Sequence, residues 1–379
     1  IIMKKMSFTI TTTLKDKLAL MSKIYMSNRK SGIYPMAVMA DRKGFFHCCS
    51  IADTLSYKLG SDELGMIPEL PDEAIIFPDG VVRLILSMPA GTTLDIESEG
   101  NCVSVKTRGK KSSCKFNVES KDFPTIEEIN PTELNFAMIE SSFIRTALEN
   151  CAFAMSTNNS KPIFTGLNFV CKNGMLEAYA IDGFKIARSR IKSEGEFTFT
   201  ITKDAVSILM CCLKSANSKI NIGINKSGNK AVFIVDNQTV LRTSLLTGTL
   251  MEVDTFFVEH EKSVKVDTAL LLGVLKQITT VATKDEVLVV MTISDDNMSL
   301  SYNGKTATYV DTVPIETQGI TCESPERIGI NVGYLTDCVK AVNDDNVSLS
   351  IKNALNPIII KGKTETETVL VPMRIAENN

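Results

Sequence analysis

Apolar and polar residues alternate through Glu196–Ile201 (EFTFTI), the period of two expected of a half-buried strand. Thr202 then offers a hydroxyl suited to capping a helix N-terminus. Ala205 to Leu213 (AVSILMCCL) predicts a short helix with a broad apolar face, Lys214 to Ser218 a polar turn, and Lys219–Ile224 (KINIGI) a second alternating strand. The same phrase recurs twice. Near the end it reads as strand Arg327–Ile330, cap Asn331, helix Gly333–Val342, turn Asp344–Asn346 and strand Val347–Ile351. Near the start it reads as strand Ala74–Phe77, helix Pro78–Met88, a turn at Gly91 and strand Thr92–Glu97, with Pro78 suited to the first helical turn.

Ile76, Ile201 and Ile330 hold equivalent places, and their near-equal spacing is close to one third of the 379 residues. Each third also carries an earlier helix. Leu14, Leu18 and Met21 mark its apolar face in the first third, with Phe143, Ala147 and Asn150, then Leu270, Val274 and Gln277, in matching places. Polar, acidic connectors fall at Thr125–Leu134 and Glu252–Lys262. The pattern predicts an α+β protein of three repeated domains, 1–130, 131–256 and 257–379, each with two helices on antiparallel sheets. Equal spacing and short connectors favour a rigid arc over modules on a string.

Composition narrows the function. Apolar residues at 44% and charged residues at 22% suit a globular protein, and no apolar run has membrane-spanning length. Residues before Met6 read as a leader. Ten cysteines include two adjacent pairs, Cys48/Cys49 and Cys211/Cys212, and no C-x-x-C; with only His47 and His260 present, a metal site is not expected. Most cysteines sit in apolar segments as small hydrophobes, which fits a reducing cytoplasm. A net charge of −3 argues against a bulk nucleic-acid binder but allows a local basic surface.

Enzyme signatures fail on inspection. Gly304-Lys305-Thr306 and Gly362-Lys363-Thr364 lack the earlier glycine of a phosphate loop, because Ser299 and Pro357 stand there; both read as hairpin turns. His47 and Cys48 are adjacent on a strand and point to opposite faces, so they do not pair as base and nucleophile. His260 reads as a solvated side chain in an acidic connector. Asp295/Asp296 and Asp344/Asp345, each followed by Asn, read as turns and not as cation ligands. A nucleotide-using enzyme and a tandem β-rich scaffold or adhesion protein without DNA binding remain the rival readings.

Lys161–Phe169 (KPIFTGLNF), Leu176–Ala187 (LEAYAIDGFKIA) and Val369–Ile375 (VLVPMRI) are distinctive, with further echoes in Asp122–Pro124, Gly248 with Leu250, and Asn331–Tyr334. With the threefold repeat, they resemble the bacterial DNA polymerase III beta subunit family, the replication sliding clamps. Where the family has Asp-Gly-His-Arg-Leu, this chain has Asp182–Ile186 (DGFKI); where the family ends in Met-Pro-Met-Arg-Leu, it has Val371–Ile375 (VPMRI).

The resemblance implies half of a closed ring. Two copies form a head-to-tail homodimer around double-stranded DNA, without sequence preference, catalysis or cofactor. It implies a processivity factor whose partners are the DNA polymerase III catalytic subunit, the clamp loader and other proteins with clamp-binding motifs, and no membrane. The implied peptide pocket takes Phe164, Ile181, Gly183, Phe184, Lys185, Ile186, Met251 and Phe256 from the second domain and its connector. The third domain adds Asn331, Tyr334, Val369, Val371, Pro372, Met373, Arg374 and Ile375. Phe116 and Val118 on Lys115–Val118 face the partner copy, with Ile278 and Val281 on the other side. Arg29, with Lys30 beside it, and Lys161 match positions near the DNA path; Arg83, Arg145 and Lys203 fall on or beside predicted inner helices. A few scattered cations suffice, because a ring holds DNA by topology and phosphate affinity is largely electrostatic. The chain departs from the family at Phe184 (usually histidine), at Met251 (usually proline) and near Glu286, where a phenylalanine is expected. Ala376–Asn379 runs past the usual ending and could cover part of the groove.

Overall fold

The computed structural model describes residues 3–26, 37–60, 69–118, 123–126, 136–214, 216, 218–283 and 285–375. Arg29, Lys30, residue 122, most of the connector 125–134 and the tail 376–379 lie outside the described residues. The first third carries β1 (Lys4–Thr9), α1 (Thr12–Met26), β2 (Ala37–Ala40), β3 (Phe45–Cys49) and β4 (Asp53–Lys58). It continues with β5 (Ile75–Pro78), α2 (Asp79–Ser87), β6 (Thr93–Glu99), β7 (Cys102–Thr107) and β8 (Ser113–Asn117). The middle third carries β9 (Phe136–Glu140), α3 (Ser141–Cys151), β10 (Leu167–Lys172), β11 (Met175–Ile181) and β12 (Lys185–Lys192). Then come β13 (Phe197–Ile201), α4 (Lys203–Leu213), β14 (Lys219–Ile224), β15 (Lys230–Val235) and β16 (Thr239–Ser244). The last third carries β17 (Lys262–Asp267), α5 (Thr268–Val281), β18 (Leu288–Ile293), β19 (Asn297–Asn303) and β20 (Thr308–Gln318). It closes with β21 (Glu326–Asn331), α6 (Val332–Val342), β22 (Asn346–Ile351), β23 (Ile358–Lys361) and β24 (Thr366–Leu370). The predicted phrase is thus present three times, as β5-α2-β6, β13-α4-β14 and β21-α6-β22.

The chain forms two compact units, Ile1–Ser142 with Ser207–Leu245, and Phe143–Val206 with Leu246–Asn379. The first holds a four-stranded sheet, β1-β6-β7-β8, and an eight-stranded sheet, β5-β2-β3-β4-β16-β15-β14-β9. The second holds a twelve-stranded sheet, β13-β10-β11-β12-β24-β23-β22-β17-β20-β19-β18-β21. The middle third therefore divides its strands between two sheets, each continued by a neighbouring third through the antiparallel ladders β16–β4 and β12–β24.

Caps form where the sequence places them. Thr202 Oγ1 accepts the Ala205 N–H at 3.1 Å, and Asn331 Oδ1 accepts those of Gly333 and Tyr334 at 3.0 and 3.1 Å. Asp267 Oδ1 does the same for Leu270 at 2.9 Å, and each such cap stabilises its helix by roughly 1 kcal/mol. Pro78 ends β5 and stands at the N-cap of α2, one place before the helical turn expected for it.

Two helix faces are shifted from expectation. Leu14, Leu18 and Met21 are buried as predicted. In α3 the buried apolar residues are Ile144, Ala147, Leu148 and Cys151, so Phe143 and Asn150 lie beside the core face and not on it. In α5 they are Leu271, Val274, Leu275 and Ile278, which leaves Leu270 exposed. The true set follows the i, i+3, i+4, i+7 stripe, and each side chain contributes about 1.5–3 kcal/mol of burial.

The first unit holds a polar arrangement that pairwise sequence reading did not reach. His47 Nδ1 lies 2.8 Å from Ser56 Oγ, and its Nε2 lies 3.1 Å from Asp41 Oδ2. The set has the composition of a hydrolase triad. Ser56, however, is 1% exposed, and its Oγ accepts a 2.9 Å hydrogen bond from Arg242 Nη1, so it joins strands and meets no solvent-borne substrate. Burial alone would raise the Asp41 carboxyl, but the hydrogen bonds from His47 and from the Phe45 and Lys43 N–H groups outweigh it and hold it below the usual range. Stability supplied by Asp41 is therefore present above the unfolded carboxyl value and lost as the pH falls through the lower folded value. Asp41→Asn is expected to flatten the pH dependence of the urea midpoint below about pH 4; an unchanged acid slope would refute this.

Candidate functional site

The best-built surface site lies on the seam where β12 meets β24, inside the second unit. It begins with a two-step turn after β11. Asp182 Oδ1 accepts the N–H groups of Phe184 and Lys185 at 2.8 and 2.9 Å, and its Oδ2 takes Lys185 Nζ at 2.6 Å. Gly183 has φ of +96°, a conformation that side chains rarely adopt. This turn pushes Phe184 into solvent, where it is 58% exposed. Lys185 is drawn the other way, buried with its ammonium 4.1 Å from the Tyr334 ring centre, so it braces the site from beneath. Tyr334, on the first turn of α6, lies 6.2 Å from the Phe184 ring.

The segment after β24 forms a strap along one wall. The Val371 N–H donates to Phe184 O at 2.9 Å, and the Met373 N–H donates to Gly329 O at 2.7 Å. Gly329 has to lack a side chain, since a Cβ there would lie 2.5 Å from Met373 O and 2.9 Å from Ile375. Pro372 falls between these two donors, where a missing N–H is harmless. Val371 and Arg374 are exposed, while Pro372, Met373 and Ile375 are half-buried.

The opposite wall comes from the connector. Tyr179 donates its hydroxyl to Met251 O at 3.1 Å, and the exposed side chains of Met251 and Phe256 stand above it. The floor is a small apolar cluster of Tyr179, Ile181, Ile186, Val253, Ile359 and Val369, with Phe164 packed against it. Beyond Met373 the strap borders a cleft of about 310 Å³ that also meets Asp285, Glu286, Leu288, Tyr302 and Arg327. Glu286 Oε2 there accepts from Tyr302 and Thr283, both at 3.1 Å. Burial would raise its carboxyl, but these bonds and the Lys305 N–H leave it below the usual range. The cleft beyond Met373 is lined largely by polar side chains, whereas the floor and the exposed Phe184, Met251, Phe256 and Val371 around it are apolar, which suits an apolar peptide anchor.

All sixteen pocket residues expected from the sequence are thus in the second unit, but in different roles. Phe184, Met251, Phe256 and Val371 present exposed side chains; Ile181, Ile186 and Val369 lie in the floor. Asn331 is occupied in capping α6, and Lys185 in its buried pair with Asp182. Sequence reading missed Tyr179, Arg188 and Asp254. Arg188 gave one signal: it shares the strand face of buried Ile186, an apolar phase for an arginine.

The expected DNA-facing and partner-facing residues are dispersed. Arg83, on α2, pairs with Asp79 at 2.8 Å and is largely exposed. Lys203, the first residue of α4, is exposed, and Arg145 on α3 is half-buried. Lys161 lies with its ammonium 5.2 Å from the Phe164 ring centre, beside the groove. Phe116 is half-buried against Gly80, where a Cβ would meet its ring at 2.9 Å, and Val118 is buried. Ile278 is fully buried in its own domain's core, so its side chain is not on a surface; Val281 is exposed.

Two strand edges stand out. β8 ends its sheet, and its outer side has no strand partner among the described residues. At the other end of that sheet, β1 is partly covered by the Ser7–Glu69 bridge. β20 pairs with β19 from Thr308 to Pro314, but with β17 only from Ile315 to Gln318. Residues 308–313 therefore have one side unpaired among the described residues, beside exposed Val310. Among the described residues, no helix is long and apolar enough to cross a membrane, and all ten cysteines are free.

Comparison with known proteins identifies the family of the chain. The family model described as DNA polymerase III beta subunit, central domain, matches residues 138–251, and that of the C-terminal domain matches residues 256–375. The beta sliding clamp of Rickettsia bellii is 24% identical over 277 residues, covering 69% of this chain and 73% of that protein. That of Streptococcus pneumoniae is 24% identical over 330 residues, covering 82% and 81%. Among solved structures, the DNA polymerase III subunit beta of Pseudomonas aeruginosa superimposes with a TM-score of 0.83 at 18% identity, covering 97% of this chain and 100% of that one. A putative beta subunit from Eubacterium rectale gives 0.84 at 16%, covering 99% and 100%. The structural likenesses show the fold, and the two family models run in sequence order through both walls of the groove. The chain belongs to the DNA polymerase III beta subunit family, the beta sliding clamps.

Proposed function

We propose that this chain is a DNA replication processivity factor, a sliding clamp that tethers a polymerase to duplex DNA through the groove between the strap and the Met251–Phe256 wall. One observation carries this. The central-domain match supplies the Phe164–Ile186 wall and Met251, while the C-terminal match supplies Phe256, Asn331–Tyr334 and Val369–Ile375. The alternative of a tandem scaffold or adhesion protein is not favoured by those matches.

In this reading the thirds 1–130, 131–256 and 257–379 are three copies of one clamp domain, and two chains close into a ring. The free edge of β8 in one copy adds to the unpaired half-edge of β20 in the other, with Phe116 on one side and Val281 and Val310 on the other. Pairing these edges would also hide backbone that otherwise invites aggregation. Lys161, Arg83, Arg145 and Lys203, with Arg29 and Lys30, provide weak phosphate contacts, so that topology and not affinity retains DNA. The protein is non-catalytic, uses no cofactor and acts in the cytoplasm. Its partners are the catalytic subunit of DNA polymerase III, the clamp loader and other proteins bearing a short apolar docking motif.

Sizing with light scattering should give twice 41.5 kDa. Protein loaded onto nicked circular DNA should remain bound through a salt wash and leave when the circle is cut. A monomer that dissociates equally from circular and linear DNA would defeat the reading.

A further inference from the structure

We infer that Arg188 and Asp254 form a latch that positions the Met251–Phe256 wall of the docking groove. The inference rests on the docking reading above. Arg188 lies on β12, and its side chain is 4% exposed. Its Nη2 meets Glu367 Oε2 of β24 at 2.9 Å, which ties the arginine to the seam under the groove. Its Nη1 meets Asp254 Oδ1 at 2.8 Å, and its guanidinium lies 3.5 Å from the centre of the Phe257 ring. Asp254 and Phe257 bracket Thr255 and Phe256, so one buried cation grips the connector on both sides of a wall residue. The Tyr179 hydroxyl holds the other wall residue through the Met251 carbonyl. Charge-assisted hydrogen bonds of this type are roughly twice as strong as neutral ones, and stacking on an aromatic face adds direction.

The two sides of the latch differ. Glu367 is mostly shielded, whereas the Asp254 side chain is 72% exposed. Glu177 Oε1 is buried without a hydrogen-bond partner and lies 4.0 Å from the same Nη1. If Asp254 lets go, Arg188 keeps Glu367 and has Glu177 at hand, so the cation is never stranded. The connector can therefore be released while the seam remains intact. The wall is held by an exchangeable contact, and the floor by permanent ones.

Asp254→Ala isolates this role. The probe is a short fluorescein-labelled peptide ending in Leu-Phe, titrated by anisotropy against the full-length protein. The variant is expected to bind at least about 5-fold more weakly, the scale of a modest coupling between sites. Its melting temperature should match that of the parent, because the lost group is exposed. Phe256→Ala should also weaken binding, and the double variant should be little weaker than Phe256→Ala alone, since the latch acts through the side chain that Asp254 and Phe257 bracket. Asp254→Glu should recover part of the affinity. Unchanged affinity in Asp254→Ala, or fully additive losses in the double variant, would overturn the latch while leaving the docking reading standing. Failure of the parent protein to bind the peptide would overturn the docking reading itself and the latch with it.

Discussion

Arg188→Ala is expected to melt about 10 °C below the parent protein, through the unit formed by Phe143–Val206 and Leu246–Asn379. The substitution takes from buried Glu177 its neighbouring cation and leaves Glu367 only the more exposed Arg190, whose Nη2 lies 3.4 Å away. Burial already pushes the Glu177 carboxyl up with Arg188 in place. Breaking a buried ion pair from one side costs about 3–5 kcal/mol, because the remaining charge is uncompensated. For a unit of this size each kcal/mol corresponds to roughly 2–4 °C. Arg188→Met should do nearly as much harm, since it restores volume and not charge. Adding Glu177→Gln to Arg188→Met should recover part of the loss. A calorimetric melt within about 2 °C of the parent would show that the cluster is not stabilising in this way.

The second large effect is on assembly. Val281→Glu combined with Val310→Glu should convert the protein into a monomer near 41.5 kDa and abolish its retention on circular DNA. Both side chains are exposed in the single chain, Val310 at 67%, so the fold itself should be unaffected. In the proposed ring both would be covered, and two unpaired carboxylates would be taken out of water. A loss of several kcal/mol weakens association by about 100-fold or more. A variant that still runs as a dimer would place the interface elsewhere.

Much of this architecture was legible in the residues. The recurring strand–helix–strand phrase located β5-α2-β6, β13-α4-β14 and β21-α6-β22, because period two and period 3.6 are local signals and Thr202 and Asn331 are strong caps. The failures have a physical cause. In α5 the run Leu270-Leu271-Leu272 is apolar at every step, so the stripe could be phased one residue wrong, and it was. The family resemblance that implies Ile278 at the partner face marks a segment, and not which of its side chains the domain's own core takes. The triad-like contact of His47 with Ser56 and Asp41 joins one strand to its neighbour and to the turn before it, and no spacing rule announces that register. The groove residues were legible only through the family motifs. The hydrogen bonds that shape it, from Asp182, Tyr179 and Arg188, needed coordinates.

The half-paired strand β20 has a consequence for how such a ring would open. Residues 308–313 are bonded to β19 on one side only; in the proposed ring their other side would take β8 of another copy, so the two joining edges would be unlike and a pair of chains would make two equivalent seams. Once the first seam forms, the second closes as an intramolecular step at an effective concentration far above that of free protein. Parting a single seam would then admit a DNA strand while the other seam keeps the couple together, and reclosure would not depend on how many copies the cell contains.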